Sequence, residues 1–90
     1  MKKSKIVTAA EGAKKDGYDF ITSVVKNENG KPLYNIVRID DIIRFRAWNP
    51  ASIIILPPVD GQPPRQGVRV WEQKPENSID RVDALRKYCK

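Results

Sequence analysis

The pair Asn29-Gly30 sits between two runs of β-branched and aromatic residues, and it constrains the fold more than any other feature of the chain. Before it, "YDFITSVV" (Tyr18–Val25) alternates Phe20, Thr22 and Val24 with Ile21, Ser23 and Val25, which reads as a strand. After it, "LYNIVRI" (Leu33–Ile39) reads as the return strand. Glycine has no β-carbon to clash, and asparagine tolerates the left-handed region. The pair therefore supplies the positive backbone angles of a tight hairpin. Pro32 belongs at the entry to the second strand, because it has no N–H to give a ladder.

Three further strands are expected. Asp40-Asp41 offers a turn, and "DIIRFRAW" (Asp41–Trp48) then alternates. One face would carry Ile43, Phe45 and Ala47, the other Ile42, Arg44, Arg46 and Trp48. Asn49-Pro50 ends it, and "ASIIIL" (Ala51–Leu56) follows with isoleucines that want cover on both faces. The eleven residues Pro57–Gly67 contain four prolines and two glycines, which predicts an extended loop with a turn at Asp60-Gly61. "VRVWEQ" (Val68–Gln73) is the fifth strand, with Val68 and Val70 inward and Arg69 and Trp71 outward.

The end reads as a helix over 78–89, capped by Asn77 or Ser78. Asp80 in its first turn and Arg86, Lys87 and Lys90 in its last suit the helix dipole. Ile79, Val82, Leu85 and Cys89 form its apolar stripe. Residues 1–17 are rich in lysine and poor in large apolar groups, so they read as a flexible basic arm in which a short helix over Thr8–Lys15 would be marginal.

The expected architecture is thus mainly β within the α+β class. Residues 18–90 form one small domain: a five-stranded antiparallel meander, or a partly open barrel, closed by one C-terminal helix. The strand order resembles small SH3-like barrels in outline. It departs from the OB-fold, whose helix between the third and fourth strands has no room here between Asn49 and Ala51.

Composition excludes several chemistries. The chain has no histidine, which removes histidine bases, Ser-His triads and nearly every zinc site. Its one cysteine, Cys89, cannot make an internal disulfide, and it has neither a base nor a resolving cysteine beside it. The glycines are too scattered for a phosphate loop, and Asp40-Asp41 would face opposite ways on a strand, which makes a poor acid–base pair. No cofactor or metal site is expected, nor an enzyme. No apolar run approaches a membrane span or a secretory signal, so a cytoplasmic protein without membrane contact is expected.

The net charge of +6 points to an acidic partner. The excess lies at the two ends: Lys2, Lys3, Lys5, Lys14 and Lys15 outnumber Glu11 and Asp16, and Arg81, Arg86, Lys87 and Lys90 outnumber Asp80 and Asp83. Both tryptophans occur in Arg-x-Trp steps, Arg46 to Trp48 and Arg69 to Trp71. Strand parity would put Arg44, Arg46 and Trp48 on one side of the third strand, and Arg69 with Trp71 on one side of the fifth, which make one surface if both strands turn the same face outward. Such a basic and aromatic sheet face suits single-stranded or non-specific nucleic acid, with bases on indoles and phosphates on guanidiniums. The plainer reading is that the arginines are ordinary solvent-facing residues and the tryptophans cover core.

The expectation is a small non-enzymatic binding protein that uses Arg44, Arg46, Trp48, Arg69 and Trp71, helped by the five lysines of the arm. The alternative is an adaptor or inhibitor docking on an acidic host protein, as small basic phage and plasmid proteins of this composition would. The proline loop could serve that role, and "DFITSVV" as an edge strand could pair two copies.

Overall fold

A computed structural model describes residues 4–28, 30–49, 54–56, 65–67 and 74–89. The elements are α1 (Lys5–Lys15), β1 (Phe20–Glu28), β2 (Lys31–Arg38), α2 (Ile39–Phe45), β3 (Ile54–Leu56), β4 (Arg65–Gly67), β5 (Ser78–Asp80) and α3 (Arg81–Tyr88). This is an α+β fold with three helices, a mixed sheet of order β2-β1-β5, and a separate β3-β4 pair. It replaces the expected five-stranded antiparallel meander or SH3-like barrel.

The hairpin forms as its turn chemistry requires. β1 and β2 pair antiparallel from Phe20↔Arg38 to Glu28↔Lys31, and Gly30 takes φ 77°. The register shifts between Val24 and Lys26, so one extra residue bulges there. Val24 and Val25 are both exposed. β5 runs parallel to β1 over Phe20–Thr22, which makes β1 the central strand there. The edge expected along "DFITSVV" is therefore covered over those residues.

Residues 5–15 are no flexible arm. Ile6, Ala9, Ala10 and Ala13 follow the i, i+3, i+4, i+7 spacing of a helix face, and with Val7 all are buried. The three alanines let α1 pack closely on its neighbours and cost no side-chain entropy. Burying Ile6 and Val7 contributes roughly 1.5–3 kcal/mol each. Lys14 and Lys15 in the last turn suit the helix dipole.

The expected third strand is also a helix at its start. Ile39 and Ile42 are buried and Ile43 packs against the same core, again at helical spacing. Asp40 and Asp41, expected in a turn, occupy the first turn of α2, where the positive end of the dipole favours them. The chain leaves α2 through Arg46 in the left-handed region, φ 54° and ψ 36°.

β4 begins inside the stretch expected to be loop and pairs with β3 from Ile54↔Gly67 to Leu56↔Arg65. The expected strand 68–73 lies outside the described residues. The C-terminal helix is shorter than 78–89 because Ser78–Asp80 joins the sheet. Neither expected cap is free for the task. The Asn77 amide donates to Asp19 Oδ2 at 2.7 Å and the Ser78 hydroxyl to the Pro75 carbonyl at 2.6 Å. Asp80 caps instead, accepting from the Val82 N–H at 2.9 Å. The buried side of α3 is Ala84 with Leu85 and Tyr88, whereas Val82 of the expected stripe is 58% exposed.

One core unites α1, α2, α3 and the adjacent face of the sheet, through Ile21, Val37, Ile39, Ile42 and Ile79. No helix among the described residues is long and apolar enough to cross a membrane.

Candidate nucleic-acid interface

Lys14 near the end of α1 forms an ion pair with Asp40 at the start of α2. Arg44, Phe45, Arg46 and Trp48 lie at the end of α2 or just beyond it, and Lys5 starts α1.

α3 meets the segment that follows α2. The Arg81 guanidinium lies over the Trp48 ring, 5.0 Å from its centroid. A cation over an indole is attracted to the π-face, more strongly as water is excluded. Trp48 is half-buried, and its body packs against the main core. It thus fixes the plane of Arg81 rather than offering a bare ring.

A cavity of about 560 Å³ opens next to this stack, lined by Ser4, Lys5, Ile6, Arg81, Leu85 and Arg86. No carboxylate among the described residues lines it. Cys89 closes one side by donating its thiol to the Lys5 carbonyl at 3.0 Å, which ties the end of α3 to the start of α1. This is a strap, and it gives the cysteine a structural partner. Arg81 Nε is buried and has no acceptor among the described residues.

Arg44 and Phe45 form a second cation–aromatic pair, at the end of α2. The guanidinium stands 5.2 Å from the centroid of the Phe45 ring, and that ring is 54% exposed. Arg46 is exposed as well. An accessible aromatic beside cations is the arrangement that stacks bases while holding phosphates.

Charge is distributed differently at the far end of α1. There Asp16 accepts from the Tyr88 hydroxyl, and Lys87 stands 3.4 Å from its carboxylate. The Tyr88 hydrogen bond, reinforced by Lys87, lowers the Asp16 pKa, while burial and Asp16 push the Tyr88 phenol up. Asp16 and Asp40 therefore engage the cations of that end.

Arg44, Arg46 and Trp48 sit at or just after a helix terminus and not along an alternating strand. Lys5 shares the cavity with Arg81, the partner of Trp48. Lys14 and Lys15 stand at the opposite end of α1, about 14 Å away from Lys5 along an axis that rises 1.5 Å per residue. Lys2, Lys3, Arg69 and Trp71 lie outside the described residues.

No protein-family model, no curated protein and no solved structure matches the chain.

Arg81, Arg86 and Phe45 were not legible as site residues. Arg81 and Arg86 read as ordinary helix-end cations, and Phe45 as an inward residue of a strand. Helical spacing of Ile39, Ile42 and Ile43 was the available signal that would have turned Phe45 outward.

Proposed function

We propose that the protein is a small non-enzymatic nucleic-acid-binding module with little sequence preference, and that it binds single strands through Lys5, Arg44, Phe45, Arg46, Arg81 and Arg86. The observation that carries this reading is the Arg81–Trp48 stack beside a cavity whose described lining is basic and free of carboxylates. The stack holds one guanidinium in place before a ligand arrives, so less entropy is lost on binding. Arg44, Arg46 and Phe45, at the end of α2, supply further exposed cations and an exposed ring for a base.

Recognition of this kind is dominated by phosphates. It predicts an affinity that falls linearly in log–log form as salt rises, with a slope of about −0.7 for each phosphate contacted on a single strand. Fluorescence polarisation of a labelled single-stranded oligonucleotide, titrated across salt, reads this directly. Binding with that slope supports the module. A flat titration at low salt would end the reading and turn attention to an acidic protein partner.

A further inference from the structure

Within that surface, the geometry points to the cavity between the first turn of α1 and α3 as a seat for a single phosphoryl group, held by Lys5, Arg81 and Arg86. This rests on the nucleic-acid reading for its biological ligand, though the seat itself is defined by its own residues.

Four observations converge on it. Lys5, Arg81 and Arg86 line one concave space, and its described lining brings no acidic group to neutralise them. Arg81 is held over the Trp48 ring, and its Nε–H is buried there without an acceptor among the described residues. The Ser4 side chain makes no cap bond to α1, and no acidic residue stands in the first turn of that helix. Its leading N–H groups and the positive end of its dipole are thus left for an anion. Finally, the Cys89–Lys5 bond and the apolar Ile6 and Leu85 hold the walls in place.

The ligand class follows from this set. A planar guanidinium fixed on an aromatic face presents a fork that matches phosphate oxygens, and Lys5 and Arg86 add charge without demanding a particular base. Inorganic phosphate and the backbone of a strand share that chemistry. A strand would place one of its phosphates in the seat.

The test uses the full chain in two titrations followed by NMR. One adds inorganic phosphate, the other a single-stranded oligonucleotide. The expected result is movement of the Arg81 Nε–H and of the Lys5 and Ile6 amides in both. Lys5→Gln and Arg86→Gln, at exposed positions, should each weaken oligonucleotide binding about tenfold and reduce the salt slope by about 0.7. The double variant should lose the phosphate-induced shifts while keeping the wild-type spectrum elsewhere. If phosphate moves these signals and the oligonucleotide does not bind, the seat stands and the nucleic-acid reading falls. If the oligonucleotide binds both variants like wild type and phosphate leaves these amides still, the seat is overturned and the wider surface survives.

Discussion

Gly12 stands mid-helix with the ring of Tyr88 where a side chain would begin. A β-carbon there would lie 2.5 Å from Tyr88 Cδ1 and 2.8 Å from Cγ. Alanine is the better helix former by about 1 kcal/mol, yet the close packing of α3 on α1 outweighs that preference. Gly12→Ala should therefore destabilise by about 1–3 kcal/mol, the usual cost of overpacking. In a Tyr88→Ala background the same change should be neutral or stabilising, and a double-mutant cycle in urea measures the coupling. Arg46 carries the opposite lesson. A non-glycine residue in the left-handed region holds conformational strain of about 1 kcal/mol or slightly more. Arg46→Gly should hold or raise the urea midpoint while weakening oligonucleotide binding. A lower midpoint would show that the arginine is there for the fold and not for the ligand.

At the scale of elements, α3 depends on Asp80. Asp80→Ala should cost about 1 kcal/mol through loss of the cap, whereas Asp80→Asn should retain most of it, as read by thermal unfolding. The latch between α1 and α3 brings a pH dependence. Asp16 has a folded pKa below its ordinary 3.8, so its contribution is fully present above 3.8 and is lost as pH falls through the folded value. Tyr88 and Lys87 are raised above 10.0 and 10.5, so theirs are present below those values and lost as pH rises through the folded ones. The stability gap between wild type and Asp16→Asn should be open at about pH 7 and closed by about pH 2. A gap that stays constant across that range would break the assignment.

These elements differ in how far the chain announces them. The β1–β2 hairpin was legible because turn chemistry is local: Asn29-Gly30 and the flanking β-branched runs agree. α1 was not, because its stripe is built mostly from alanines, which bury little surface and look unconvincing until neighbours close on them. α2 was misread as a strand because isoleucine favours sheets and "IIRFRAW" also fits period two. Tertiary packing decided for the 3.6 period. β5 is three residues long and finds its parallel partner far back in the chain, which no local pattern encodes. The candidate site was half legible. Arg44, Arg46 and Trp48 were singled out, but the contact of Trp48 with Arg81 exists only once α2 and α3 are packed.

On the scale of the whole molecule, the helical layer is polarised. Asp16 and Asp40 pair with Lys87 and Lys14 at one end of α1, while Lys5, Arg81 and Arg86 line one cavity at its start. On the proposed reading, that cluster and the net charge of +6 would steer an anionic strand toward the start of α1. The measurement that tests this most directly is the salt dependence of single-stranded oligonucleotide binding, in wild type and in the Lys5→Gln/Arg86→Gln variant. A steep wild-type dependence, with a slope shallower by about 1.4 in the variant, is the predicted result. Equal slopes, or no binding at low salt, would contradict it.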